Sequence, residues 1–305
     1  MGASIRALTA LLDALDNRAF RPSDCSFIGA EYDYWRRTRR WRLITRMAQR
    51  RCQCEHMADE AADPAIWSQL LACRNGKAEA SSQIWPGIWS LYAPIVETSG
   101  PFVLGQLGQS LDGRIATPTG HSRTISGTEA IAHLHRLRAL SDAVVVGIGT
   151  VLADDPQLTV REVEGPSPVR VVIDPNGRLP EDARVLADDG IPCIAVQAGP
   201  RARPSRMETL SLPAADGQID VRGLVNGLAA RGLRRLLIEG GGKTVSAFLA
   251  AEALNRLHVC VTPVVIGSGP TGLCLPPIAK MDEAMRRPCT IHRIGDDVLF
   301  DLAMG

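Results

Sequence analysis

Residues Leu236-Leu-Ile-Glu-Gly-Gly-Gly-Lys-Thr-Val-Ser246 take the chain from a buried strand through three glycines directly into a helix. The start of the stretch, 236–238, is continuously apolar, as in a strand that is covered on both faces. After the glycines, Val245, Phe248 and Leu249 recur at helical spacing. A strand that turns at once into a helix is the repeating unit of an α/β sheet. The stretch therefore predicts an α/β fold.

The same glycine turn suits a phosphate or pyrophosphate group. Glycines let the backbone approach a ligand closely, and a helix N-terminus presents unpaired N–H groups and a positive dipole end. The spacing fits neither G-x-G-x-x-G nor G-x-x-x-x-G-K-[ST], so both common nucleotide-binding motifs are excluded. A plain tight connection remains an alternative. Glu239 favours a ligand site, because it ends the strand and ligands of open α/β sheets collect at that edge.

Further apolar runs predict the rest of the sheet. Buried strands are expected at 102–107, 143–147, 169–173, 193–196 and 258–265. Ser126-x-x-Glu129 has the pattern of a capping box and predicts a helix start. The apolar positions of that helix are Ile131, Leu134, Leu137 and Leu140.

The C-terminal residues 290–302 read as a hairpin around Gly295-Asp296-Asp297. Together these elements predict a three-layer α/β sandwich. We expect a mostly parallel central sheet that ends in a C-terminal antiparallel hairpin.

The composition limits the class of protein. The net charge is +1, so the whole chain gives no reason to expect a polyanion as partner. No apolar run of about 18 residues occurs, and no signal peptide is evident, so we expect no membrane association. The eight cysteines include no CxxC pair. They are typical of reduced thiols, so we expect a cytoplasmic protein without a metal site.

Aromatic residues divide the chain. All five Trp and all three Tyr precede residue 93. We therefore predict an Arg- and aromatic-rich extension at 1–56, a helical segment and linker at 57–100, and the main domain at 101–305.

The extension has three interpretations. Residues 35–51 hold eight Arg and no acid, a pattern that fits nucleic-acid binding or a poorly ordered extension. Alternatively the extension is not translated and the protein begins at Met57, ahead of a helix that Asp63 caps and Pro64 opens.

Five segments in register resemble a known family. Gly147-x-Gly-Thr-Val-Leu-Ala-Asp-Asp-Pro-x-Leu-Thr-Val-Arg161 follows a buried strand, and Ser110-Leu-Asp-Gly-Arg-Ile-Ala116 follows the first strand. With 135–143, 172–174 and 238–241, they resemble the reductase domain of bacterial riboflavin-specific deaminase–reductases. The resemblance covers 101–303 and implies a dihydrofolate-reductase-like fold.

The resemblance implies an NADPH-dependent reductase. Its substrate would be 5-amino-6-(5-phosphoribosylamino)uracil or a closely related phosphoribosylamino-pyrimidine, reduced at ribose C1′. The matching cofactor positions are Gly108, Thr124, Thr150, Asp154, Gly240, Gly241, Gly242, Lys243, Thr244 and Val245. The matching substrate positions are Ser122, Arg138, Leu158, Arg161 and Glu239, with Glu239 as the catalytic carboxylate.

Three positions depart from the family pattern. Gln106 stands where Lys is frequent, Thr124 where some members have Trp, and Pro175 where others have a Ser that contacts the cofactor. The zinc-deaminase motif H-x-E with P-C-x-x-C does not occur, so we expect another protein to supply the deamination. We also expect a homodimer.

Two alternatives stay open at this point. A dihydrofolate or pteridine reductase would share the fold, but its substrate would offer no phosphate to Arg138 and Arg161. A nucleic-acid-binding protein would use residues 35–51.

Overall fold

The computed structural model describes residues 64–79, 86–122, 125–200, 203, 207–215 and 217–305. The described residues fall within a compact unit that spans Met57–Gly305. The predicted extension 1–56, with its Arg-rich stretch and the Cys52-x-Cys54-x-His56 triplet, lies outside them. In the described part of the chain, no helix is long and apolar enough to span a bilayer. No cluster of His, Cys, Asp or Glu there could hold a metal ion.

The described residues contain six α-helices, two short 3₁₀ helices (Arg184–Leu186 and Met281–Glu283) and eleven strands. The helices are α1 (Pro64–Arg74), α2 (Pro86–Glu97), α3 (Thr128–Leu140), α4 (Ile148–Asp154), α5 (Val221–Ala229) and α6 (Gly242–Ala250). The strands are β1 (Phe102–Ser110), β2 (Ala143–Gly147), β3 (Val169–Ile173), β4 (Cys193–Gln197), β5 (Glu208–Ser211), β6 (Ala214–Ala215), β7 (Gln218–Ile219), β8 (Arg235–Glu239), β9 (Arg256–Thr262), β10 (Cys289–Ile294) and β11 (Asp297–Ala303).

The central sheet has nine strands in the order β10-β11-β9-β1-β8-β2-β3-β4-β5. From β9 to β5 all neighbours are parallel, while β11 is antiparallel to both β9 and β10. The predicted mostly parallel sheet with a C-terminal antiparallel hairpin is confirmed.

Apolar side chains cover both faces of the sheet, which makes the three predicted layers. One core lies under α1, α2 and α3 and includes Leu70, Tyr92 and Leu137. The other lies under α5 and α6 and includes Leu224 and Phe248. Because α1 and α2 contribute buried side chains, the segment that precedes residue 101 shares a core with the sheet.

The start of α3 differs from the sequence prediction. Gly127 is the N-cap residue and has no side chain with which to cap the helix. The Gly127 N–H donates to Asp297 Oδ2 at 2.8 Å, so a carboxylate from β11 replaces the predicted Ser126–Glu129 box. Ile131, predicted to face the core, is 40% exposed. His133 is buried instead, because polar side chains of the sheet lie beneath this helix.

Candidate active site at the carboxyl edge of the sheet

The carboxyl ends of three neighbouring strands form one edge of the molecule. Gln106 of β1 is in register with Glu239 of β8, and Val145 of β2 is in register with Ile238. The glycine turn after β8 and the α4 segment after β2 therefore begin at the same level. This is the edge at which open α/β sheets bind ligands.

The glycine turn after β8 packs closely against the first turn of α4, which follows β2. Gly240 and Gly241 have φ of +83° and +22°. A Cβ on Gly240 would lie 3.0 Å from Thr150 Cγ2, and one on Gly241 would lie 2.9 Å from Thr150 Oγ1. Glycine is therefore needed here for conformation and for space. The predicted cofactor residues Thr150, Gly240 and Gly241 do come together.

The beginning of α6 presents its first N–H groups beside this turn, since the helix starts at Gly242 after the N-cap Gly241. Lys243 is exposed and Thr244 is partly buried, so both side chains can reach a ligand. Val245 is fully buried in the core, which leaves only its backbone available. The helix start behind the glycine turn, with the exposed Lys243 beside it, is the donor set that suits a phosphate-containing cofactor.

A loop contacts the start of α6, and the sequence did not predict this contact. A Cβ on Gly242 would overlap the carbonyl oxygen of Gly272. The Cys274 N–H also donates to Ser246 Oγ at 2.8 Å. The irregular segment 263–288 thus borders the predicted cofactor turn, and no pattern in its sequence indicated this contact.

Arg138 and Glu239 form a largely buried ion pair. Arg138 Nε donates to Glu239 Oε2 at 2.8 Å, and its Nη2 donates to Oε1. Nη1 donates to the Thr159 carbonyl at 2.9 Å. Burial by itself would lower the pKa of the Arg138 guanidinium, but the charge and hydrogen bonds of Glu239 outweigh it and raise that pKa. The ion pair therefore connects two predicted substrate residues, and the Arg138 guanidinium already binds a carboxylate.

Arg161 lies beside this pair with an exposed side chain. Its Nη1 donates to Thr159 Oγ1 at 2.6 Å, and its backbone N–H donates to His135 Nδ1 at 2.9 Å. Partial burial and then the positive charge of Arg138 lower the pKa of the Arg161 guanidinium. Two cations in this proximity favour an anion between or beside them.

His135 holds the loop that carries Arg161. Burial, followed by the charges of Arg138 and Arg161, lowers its pKa to about 4. The ring is therefore neutral near pH 7, and its Nδ1 accepts the backbone N–H of Arg161. His135 thus acts as a structural acceptor here, as expected for a residue with no assigned catalytic role.

The remaining predicted residues are placed as follows. Ser122 Oγ donates to Asp154 Oδ1 at 2.9 Å, which joins a predicted substrate residue to a predicted cofactor residue. Leu158 is buried and has φ of +58°, so it faces the core and only its strained backbone can contact a ligand. Gly108 lies near the end of β1, where a Cβ would be 3.0 Å from Ser126 Oγ. Thr124 lies outside the described residues.

The sequence profile of the RibD C-terminal domain family matches residues 101–299, about two thirds of the chain. The chain belongs to this family. Reductases of this family and fold generally use a nicotinamide cofactor. The predicted dihydrofolate-reductase-like fold and the predicted family are thereby confirmed.

Two archaeal relatives are named 2,5-diamino-6-ribosylamino-4(3H)-pyrimidinone 5′-phosphate reductase. The protein of Methanothermobacter thermautotrophicus is 39% identical over 175 residues, which cover 55% of this chain and 80% of the relative. The protein of Archaeoglobus fulgidus is 33% identical over 207 residues, which cover 64% of this chain and 92% of the relative.

A solved structure with the same fold is the diaminohydroxyphosphoribosylaminopyrimidine deaminase/5-amino-6-(5-phosphoribosylamino)uracil reductase of Thermotoga maritima. It is 26% identical with a TM-score of 0.59, and the alignment covers 75% of this chain. The present chain spans 65% of that longer protein.

Proposed function

We propose that this protein is an NADPH-dependent reductase of a phosphoribosylamino-pyrimidine in riboflavin biosynthesis. The observation that carries the proposal is the position of Glu239. It ends β8 immediately before the glycine turn, and it is paired with Arg138 beside the exposed Arg161. The proposed cofactor site and the proposed site for an anionic substrate would therefore adjoin at the end of one strand.

The cofactor would be held by the turn Gly240–Gly242 and by Thr150 of the facing helix α4. When bound there, its nicotinamide supplies the hydride that reduces ribose C1′ of the ring-opened substrate. The protein's own contribution is to hold the substrate in line with the cofactor at the adjoining residue Glu239. A carboxylate has about four acceptor positions, so Glu239 keeps acceptor capacity for a substrate hydroxyl or amine beyond its two bonds to Arg138.

Arg161 would bind the substrate phosphate. Its guanidinium is exposed, its pKa is lowered first by partial burial and then by Arg138, and its loop is fixed through His135. A phosphate dianion relieves the repulsion between the two guanidinium groups. Because Arg138 is paired with Glu239, we propose that Arg138 orients Glu239 and that Arg161 binds the substrate phosphate.

Isotope transfer tests the proposed reaction. NADPH deuterated at nicotinamide C4 is mixed with 5-amino-6-(5-phosphoribosylamino)uracil, and the product is analysed by mass spectrometry and NMR. We expect one deuterium at C1′ of the ribitylamino product, and a lower rate when NADH replaces NADPH. Deuterium elsewhere in the product, or no transfer from either cofactor, would contradict the proposal.

We also propose that the protein is a homodimer. Several large apolar side chains of the segment 263–291 are exposed, among them Val265 at 69%, Met281 at 70% and Ile291 at 54%. Exposed apolar side chains grouped in one segment are typical of a protein interface, and a second copy would cover them. Light scattering during size-exclusion chromatography is expected to give twice the mass of the chain, while a monomer mass would refute this.

A further inference from the structure

A row of polar side chains crosses the sheet beneath α3, on the same face as Glu239. Gln106 of β1 is in register with Glu239 on one side and with His258 of β9 on the other. Asp301 of β11 is in register with His258 in turn. Residues directly opposite each other in a sheet project from the same face, so the four side chains stand side by side.

This row is buried. Gln106 is 6% exposed and His258 is 0% exposed. Such groups carry a desolvation cost that only hydrogen bonds offset, so each buried polar atom needs a partner. Among the described residues, Gln106 Oε1 and both ring nitrogens of His258 lack a hydrogen-bond partner of good geometry, although Nε2 lies close to the Asp301 carboxylate.

Two side chains from the helical layer hold the His258 ring. His133 of α3 stacks on it with ring centroids 5.4 Å apart and an interplanar angle of 27°. The Tyr92 hydroxyl of α2 lies 2.8 Å from His133 Nδ1 in a hydrogen bond. Tyr92 precedes the family-matched residues 101–299, so an element outside the matched segment contributes to this support.

The neighbouring carboxylate sets which nitrogen of His258 carries the proton. Nε2 lies 3.3 Å from Asp301 Oδ1, and a carboxylate in that place favours the tautomer with its N–H on Nε2. Nδ1 is then an acceptor that lacks a donor. The side-chain amide of Gln106, one strand away in register, is a donor of the required type.

We propose that His258 is a positioning residue for the reductase reaction. Its Nδ1 accepts the amide N–H of Gln106 when substrate is bound, which turns Gln106 Oε1 away from His258 and toward the substrate beside Glu239. Oε1 then accepts a hydroxyl or amine N–H from the substrate and gains the partner it lacks. Asp301 fixes the tautomer, and the pair Tyr92–His133 fixes the ring.

A double-mutant cycle in the full-length protein tests this role. His258→Leu removes the acceptor and Gln106→Met removes the amide, each with a side chain of similar size. We expect His258→Leu to raise KM for the phosphoribosylamino-pyrimidine about tenfold while KM for NADPH is unchanged. In the Gln106→Met background the same change is expected to have less than a twofold effect, because coupled residues are not additive.

A milder variant covers the case in which His258→Leu does not fold. Tyr92→Phe removes the hydroxyl that bonds His133 and Arg136 at the far end of the support. It is expected to raise the same KM about threefold, again only when Gln106 is present. Arg74→Gln is the matched control, since Arg74 also lies in the N-terminal helical segment but donates to the Ser141 carbonyl, far from Gln106 in the sheet. The control is expected to leave KM for both ligands unchanged.

The inference rests on the proposed function, and different experimental results would refute each of them. A wild-type protein that does not reduce the substrate refutes the proposed function. If the wild type is active but His258→Leu and Gln106→Met act additively, the positioning role is refuted. A fall in kcat at constant KM, with kcat calculated per mole of folded protein, would also refute it, because the substrate contact would then be intact.

Discussion

Arg161→Ala removes the guanidinium that the proposed function places on the substrate phosphate. The side chain is exposed and bonds Thr159 Oγ1, while the backbone N–H that bonds His135 is kept in the variant. We therefore expect the free energy of unfolding to change by no more than about 0.5 kcal/mol. The fold and the Arg138–Glu239 pair should persist.

The loss in substrate binding follows from the chemistry of the contact. A charge-assisted hydrogen bond contributes about 1.5–3 kcal/mol. KM for the phosphorylated substrate is therefore expected to rise about 10- to 150-fold. KM for NADPH should hardly change, because the glycine turn that would hold the cofactor is a separate element. NADPH oxidation, followed by its absorbance, measures both constants.

The dephosphorylated substrate completes the cycle. It is expected to bind poorly to the wild type and to lose little more in the variant, because the group that Arg161 contacts is missing. Arg231→Ala, a change of another exposed arginine at the end of α5, is the control and should leave both constants unchanged. Equal weakening of the phosphorylated and dephosphorylated substrates would show that Arg161 does not read the phosphate.

Three further perturbations probe the cofactor turn, the ion pair and the loop support. Gly241→Val introduces a Cβ about 2.9 Å from the hydroxyl of Thr150 in α4. It is expected to weaken NADPH binding at least tenfold, about 1.4 kcal/mol, in a fluorescence titration of folded protein. Unchanged affinity would refute a cofactor role. Arg138→Met leaves the Glu239 carboxylate largely buried without its cation, and a loss of about 3–5 kcal/mol in denaturant unfolding is expected; a loss below about 1 kcal/mol would show that the pair is solvated. The pKa of His135 is lowered to about 4 from 6.5, so the unfolded chain binds a proton there that the folded chain does not, and the free energy of unfolding should fall as the pH falls from about 6.5 to 4. His135→Asn is expected to make that fall smaller, and an identical pH dependence in the variant would contradict the assignment.

The features that the sequence predicted correctly are those that depend on residues close together in the chain. The strand, triple glycine and helix at 236–246 could be located because burial on both faces demands a continuous apolar run and the tight turn demands glycine. The same logic placed the parallel strands and the C-terminal hairpin. The relation of Thr150 to Gly240 followed from the resemblance to the family, since no local pattern states that the turns after β2 and β8 adjoin.

Features that depend on distant residues could not be predicted. The Ser126–Glu129 pattern suggested a local cap, but Asp297 from the last strand binds the helix start instead. The burial of His133 depends on a polar row contributed by separate strands, which no periodicity within α3 reveals. Arg138 was expected to bind phosphate, and its commitment to Glu239 emerges only when α3 is packed on the sheet.

The most direct measurement compares three substrates in one NADPH oxidation assay. These are 5-amino-6-(5-phosphoribosylamino)uracil, 2,5-diamino-6-ribosylamino-4(3H)-pyrimidinone 5′-phosphate and dihydrofolate. The proposed function predicts turnover with at least one of the two phosphorylated pyrimidines, saturable in the micromolar to millimolar range typical of enzymes, and no turnover with dihydrofolate. Oxidation of NADPH with dihydrofolate alone would contradict the assignment of Arg161 and Glu239 to a phosphorylated ribosylamino substrate.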